Sequence, residues 1–325
     1  MAFATVDRRI TVKIHQLRDF LAIVEKQNIS TAAKFLGIAQ PSLSRSVRQL
    51  EQELGAPLFQ RHTRGVVLTE TGVVFSKRAG IIMRELERAR EEVSQLQGHV
   101  QGSLTIGISG VSHQTLLKHA LTPFRKRYPL VRLNLLEGSY PIFETRLKDG
   151  AIDLYVGPTT SQMVPPELKA EQLFHPPRVV LGRKGHPLAR SRSLKDLLQA
   201  DWLTTSITDR ATAEFGQIFE EHGLPPPRLS IRASSVLTMV TALTCSDVLT
   251  ITSGTFSELP FLADSLAAIP VREKISAPPI ALIHRAGVPP TPAAEYFCDM
   301  IRRAATSMAK RYPLQSNGGK WTTPV

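Results

Sequence analysis

Between His15 and Leu54 the apolar residues keep a helical period that is broken twice by tight turns, and few small folds accommodate that pattern. From His15 to Lys26, Leu17, Phe20, Leu21 and Val24 fall at i, i+3, i+4 and i+7, one face of an amphipathic helix. Asn28 and Ile29 break it. Ser30 can then cap a short second helix, Thr31 to Leu36, whose Ala32 and Ala33 let another helix approach closely. Gly37 ends that helix, and Pro41 suits the first turn of a third, with Leu43, Val47, Leu50 and Leu54 on one side. Gly55 and Pro57 stop it. Two short helices across a glycine-containing turn form a helix-turn-helix, and the second presents Ser42, Ser44, Arg45, Arg48 and Gln49 away from its apolar face. Such side chains meet phosphates and base edges in a major groove: Arg pairs bidentately with guanine and Gln with adenine. Ser30, Thr31 and Gln40, at the starts of the two helices, join the candidate DNA contacts. Beyond Leu58-Phe59, the segment Arg61 to Leu68 reads as a hairpin with Arg61 and Arg64 at its tip, placed to lie on a DNA backbone.

Thr69 can cap a long helix running to about Gln97. Its apolar residues Ile82, Leu86, Ala89, Val93 and Leu96 alternate by four and three among Arg and Glu, a seam that needs a partner helix, from its own domain or from a second copy, and the pairing of two reading helices with two half-sites favours a dimer. Gly98 and Gly102 then mark a linker. Downstream, Gly102 to Ile108 is a strand, Ser109 to Ser112 a turn, and Leu116 to Phe124 a helix. Val131 to Glu137 is a second strand, followed by Gly138-Ser139-Tyr140 and a helix containing Phe143 and Leu147, and Ala151 to Val156 is a third strand. Strands alternating with helices predict a parallel or mixed α/β sheet, with ligands at the carboxyl ends of its strands. Ile280 to His284 is the last strand.

Composition narrows the partners without choosing among them. The chain has 325 residues, 42% of them hydrophobic, with 40 Lys and Arg against 28 Asp and Glu, a net charge of +12. Residues 1–100 hold 15 of the basic and 10 of the acidic residues and the rest hold 25 and 18, so the excess is spread along the chain. A DNA-binding reading therefore rests on local arrangement rather than on bulk charge. No apolar run is long enough to span a membrane or serve as a signal peptide, which predicts a cytoplasmic protein without membrane partners. Cys245 and Cys298 are far apart and are expected as buried reduced thiols; no cysteine-rich metal site or cofactor site is expected.

The run Leu17-Arg18-Asp19-Phe20, the segment Ser30 to Ser44, and then Leu50-Glu51, Leu54-Gly55, Leu58-Phe59-Gln60-Arg61 and Leu68-Thr69-Glu70-Thr71-Gly72 resemble the N-terminal signature of LysR-type transcriptional regulators. The match runs over residues 14–97. Further on, Arg146 to Leu154 and Gly185-His186-Pro187-Leu188 resemble landmarks of the same family's sensor domain, although Cys245-Ser246-Asp247-Val248 stands where a glycine-rich turn is common. The resemblance implies an all-α winged helix-turn-helix at 14–72 after a flexible arm at 1–13. A linker and dimerisation helix would follow at 73–98. It further implies a bilobal α/β effector domain at 102–305, like type 2 periplasmic binding proteins, with lobe I at 102–166 and 268–305 and lobe II at 167–267. Residues 306–325 would be a tail. Partners implied are double-stranded DNA, a small anionic effector such as an aromatic acid, further copies in a homodimer or homotetramer, and RNA polymerase as a candidate. Carried over position by position, the effector cleft takes Ser109, Gly110, Ser112, Ser139, Thr204, Thr205, Ser253 and Gly254, whose hydroxyl and N–H donors suit a carboxylate or sulfonate without a buried cation. His113, Tyr140, His175 and Arg210 stand close by in sequence and are read as structural or surface residues.

Two rivals remain. A small-molecule-binding protein of the α/β class would share the effector architecture but not the helix-turn-helix. An α/β enzyme would need chemistry the chain lacks: there is no Gly-x-Ser-x-Gly elbow, no P-loop and no His-Glu-x-x-His.

Overall fold

The computed structural model describes residues 11–62, 65–98, 101–205, 207–258 and 262–313. Contacts divide the chain into two units, residues 1–91 and 92–325.

In the first unit, α1 (Ile14–Lys26), α2 (Ile29–Leu36) and α3 (Gln40–Leu54) precede a two-stranded hairpin of β1 (Phe59–His62) and β2 (Gly65–Leu68), and the long α4 (Glu70–Leu96) leads out of it. Ala22, Ile23, Ala32, Ala33, Leu43 and Val47 form one small core; Leu17, Phe20, Leu50, Leu58 and Ala79 form a second. Of the periodic residues of the sequence, Leu17, Phe20, Leu43, Val47 and Leu50 are core residues, Leu21 and Val24 are half-buried against them and Leu54 is exposed; Phe20 is closed over by the rings of Phe59 and Phe75. The cap of α2 differs from expectation: Asn28, not Ser30, accepts the Thr31 N–H at 3.0 Å, because the helix already begins at Ile29, which makes Asn28 the cap, Thr31 its N3 residue and Ser30 a residue of the first turn. Thr69 does cap α4, its hydroxyl accepting from Gly72 N–H at 2.9 Å.

The second unit opens with β3 (Gln101–Ile108), then α5 (Gly110–Ser112), a π-helical turn at His113–Leu117 and α6 (Lys118–Arg127). β4 (Leu130–Glu137), α7 (Tyr140–Lys148), β5 (Leu154–Pro158) and β6 (Leu168–Phe174) follow, then β7 (Arg178–Arg183), β8 (Asp201–Thr204), α8 (Asp209–Glu220) and β9 (Arg228–Arg232). The chain continues with α9 (Val236–Cys245), β10 (Leu249–Ser253), β11 (Leu266–Ile269), β12 (Ile280–Arg285) and α10 (Pro292–Arg311). Two five-stranded sheets result, in orders β4-β3-β5-β12-β6 and β11-β7-β10-β8-β9. Within them β3 runs parallel to β4 and β5, and β8 parallel to β9 and β10.

Several expected boundaries move. The third strand begins at Leu154 rather than Ala151, since residues 151–153 form the bend in which Asp153 accepts the Thr105 N–H. The lobes divide differently from the expected 167 and 268. β6 belongs to the first sheet, pairing antiparallel with β12, and β11 belongs to the second, pairing with β7. The chain therefore crosses at residues 175–177 and returns at 270–279. Residues 306–311 are not tail but the last turns of α10, held by buried Ala305 and by Met308, Ala309 and Tyr312 against the core. Residues 1–10 of the expected arm and 314–325 of the expected tail lie outside the described residues.

Cys298 is buried, which pushes its thiol pKa well up, whereas Cys245, at the end of α9, is exposed. The expectation of two buried thiols fails at Cys245 because that end of α9 faces outward.

Candidate functional site

The exposed side of α3 is built by its buried one. Leu43, Ser46, Val47 and Leu50 point inward, so Gln40, Ser42, Arg45, Arg48 and Gln49 face solvent, with Ser44 half-buried at the margin. Ser30 and Thr31 are exposed in the first turn of α2, but Thr31 is partly engaged by Asn28. The hairpin is fixed relative to these helices. Val66 N–H donates to the Gln27 carbonyl at 3.1 Å, and the backbones approach so closely that a Cβ on Gly65 would lie 2.6 Å from that oxygen. From the other side, Glu51 accepts from the N–H groups of Leu58 and Phe59, tying α3 to β1. A reading helix and a wing held rigidly together suit a groove and the adjacent backbone. Arg61 pairs with Val66 in the hairpin through its backbone, while Arg64 lies outside the described residues, as does the side chain of Arg61.

In the second unit a cavity of about 290 Å3 opens between the two sheets, at the carboxyl ends of β3, β4, β8 and β9. Of the residues expected there, Ser109, Gly110, Ser139, Thr205 and Ser253 line it. Ser112, Thr204 and Gly254 do not. Ser112 is fully buried behind Ser109, whose hydroxyl it meets at 3.0 Å; Thr204 is the last residue of β8, its carbonyl taken by Ala233 N–H; and Gly254 N–H donates to the Pro177 carbonyl. Ser139 precedes α7, but its hydroxyl makes no capping bond, so it faces the cavity uncommitted to the helix. Among the neighbours read as structural, His175 bonds the Ala277 carbonyl and so joins the two crossover segments, and Tyr140 is buried in the lobe I core. The side chain of Arg210 lies outside the described residues.

Residues that sequence reasoning missed give the cavity its chemistry. Arg178, the first residue of β7, stands on one wall opposite Ser253 in the strand register, and Glu137, the last residue of β4, stands on another. The expectation of a site without a cation is therefore corrected. Burial holds the Arg178 guanidinium below its usual pKa, with Glu214 and Glu221 pulling it back from a distance. Its only hydrogen bond among the described residues goes to the Ser276 carbonyl, at 3.1 Å. Apolar groups, including Ile142, Ile207, Val236, Ile251, Phe256 and Ile280, cover most of the remainder. Neither charge reads from sequence as a cavity residue: a lone Arg at a strand start and a lone Glu at a strand end look solvent-facing. Among the described residues no group of His, Cys, Asp and Glu could hold a metal ion.

Two family models match the chain in order. Residues 14–73 match the bacterial regulatory helix-turn-helix protein, lysR family, and residues 97–306 match the LysR substrate binding domain. The SDS degradation transcriptional activation protein of a Pseudomonas species is 30% identical over 294 residues, covering 89% of this chain and 95% of that protein. The HTH-type transcriptional regulator GalR of Pseudomonas putida is 27% identical over 297 residues, covering 90% and 74%. Among solved structures, CbnR, a LysR family transcriptional regulator, superposes with a TM-score of 0.64 at 20% identity over 90% of this chain and 99% of that one, a likeness of fold. CbnR complexed with its target DNA gives a TM-score of 0.63 at 21% identity, covering 90% and 99%. With a helix-turn-helix and hairpin in its first unit, a lined cavity between two sheets in its second, and both family models matched, this chain belongs to the LysR family of transcriptional regulators and is not an enzyme.

Proposed function

We propose that this regulator binds promoter DNA sequence-specifically through α3 and the wing, and that a small anionic effector between the two sheets of the second unit controls that binding. The observation that carries the reading is the cavity itself: one cation, several hydroxyls and a mostly apolar wall, at the carboxyl ends of parallel strands where α/β sheets take ligands. A relative named for SDS degradation fits this chemistry, since dodecyl sulfate is an anionic head on an apolar body. Aromatic acids belong to the same class.

The assembly is a dimer, paired into a tetramer, joined through α4. Ile82, Val93 and Leu96 of its seam are 50%, 55% and 74% exposed, an apolar stripe that a second copy would cover. Paired copies place two reading helices on two half-sites. Among the described residues no helix is long and apolar enough to cross a membrane, and a cytoplasmic location fits DNA binding. RNA polymerase is the partner through which bound regulator would act.

Ser109→Ala combined with Ser139→Ala tests the cavity. Basal DNA affinity stays unchanged while the effector-induced change in DNA binding is lost, measured by fluorescence anisotropy on a duplex the protein selects from a random library. A normal response in the double variant contradicts the assignment.

A further inference from the structure

The cavity carries one positive and one negative side chain, and their hydrogen bonds give them different tasks. Glu137 is committed. Its Oε1 accepts from Val236 N–H at 3.1 Å, so a carboxylate from the first sheet occupies the N-terminus of α9, a helix that packs on the second. Two residues on, Thr238 N–H goes to the Ser235 hydroxyl at 3.2 Å. The fit around the carboxylate is close: a Cβ on Gly110 would lie 2.2 Å from Val236 Cγ2 and 3.6 Å from Glu137 Oε1. One of the helix N–H groups that α9 could offer to an anion is thus already taken by the protein's own carboxylate.

Arg178 is in the opposite condition. It lines the cavity, is half-buried, and among the described residues donates only to one carbonyl, with no carboxylate at ion-pair distance. A partly desolvated guanidinium with most of its five donors unmatched favours a planar or tetrahedral oxyanion strongly.

Resting on the effector reading above, we propose that Arg178 receives the effector's anionic head and that Glu137, seated on α9, excludes a second negative charge, so that the effector is a monoanion with an apolar body. In a cavity of about 290 Å3 any second charge lies within a Debye length of Glu137 and is repelled by it. The apolar wall of Ile142, Ile207, Ile251 and Phe256 takes the body.

Calorimetric titration of the full chain tests this with matched probes: octanoate and octyl sulfate beside octan-1-ol and suberate, and benzoate beside benzyl alcohol and terephthalate. At least one monoanion binds, and its neutral and dianionic counterparts bind about tenfold more weakly or not at all. Arg178→Gln removes the preference for the monoanion over the neutral probe, and Arg178→Lys restores part of it. Glu137→Gln, which can still accept from Val236 N–H, narrows the gap between monoanion and dianion. The proposal is overturned if no monoanion binds, if the native chain prefers a dianion, or if Arg178→Gln binds the monoanion as tightly as before. Anisotropy on the selected duplex separates this from the reading beneath it. A different small molecule that still alters DNA binding leaves effector control standing and removes only the charge assignment, whereas DNA binding that no small molecule alters removes effector control itself.

Discussion

His113 shows how a single side chain registers the structure around it. It sits in the π-helical turn after β3, where burial lowers its pKa below 6.5 and nearby Glu137 only partly opposes the shift. His284, in β12, is also lowered, chiefly by burial, with the Arg285 carbonyl opposing and Lys169 reinforcing. The sign follows from linkage. In the unfolded chain both imidazoles keep an ordinary pKa near 6.5, so as pH falls through that value the unfolded state takes up protons that the folded state resists. Stability is therefore full above pH of about 6.5 and declines below it. Thermal unfolding followed from pH 8 to 5 should show a falling Tm over the lower part of the range, and His113→Gln should flatten that fall; an unchanged slope would mean that His113 is not the group responsible. At the same level, Arg178 explains why residue identity alone did not reveal the cavity's charge. Its significance comes from the antiparallel pairing of β7 with β10 and from the crossover that sets Ser276 beside it, and neither is local in sequence.

Among the elements, α3 was readable almost in full because everything that defines it lies within one stretch: apolar spacing, Pro41 in the first turn, Gly55 at the end in a left-handed conformation. The hairpin was readable for the same reason. β6 and β11 were not, since which sheet a strand joins depends on partners a hundred residues away, and both strands carry enough apolar residues to serve either core. The end of α10 was missed because Ala305, Met308 and Ala309 are small or flexible residues with weak periodic contrast, and only their contact with the core reveals the helix. Reading α3 as the recognition element makes a sharp prediction. Arg45 is exposed on the face opposite Leu43 and Val47 and free to reach a base edge. Arg45→Ala should cost about 1–3 kcal/mol at one base-pair position and relax preference there, as read by binding to a panel of single-base operator variants. A uniform loss across the panel would make Arg45 a phosphate contact instead.

For the molecule as a whole, the first unit carries the helix-turn-helix and hairpin and the second the lined cavity, and Ile82, Val93 and Leu96 of α4 are exposed apolar residues. The spread of the +12 charge along the chain fits this division, since the residues expected to touch DNA are few and chosen by position on a helix and wing. Sequence-selective DNA binding is the claim on which the rest depends. Its most direct test is the affinity of the full chain, at about 150 mM salt, for a duplex selected from a random library and for a scrambled duplex of the same composition. Binding to the selected duplex should be tighter by about three orders of magnitude or more. Equal affinity for the two would contradict it.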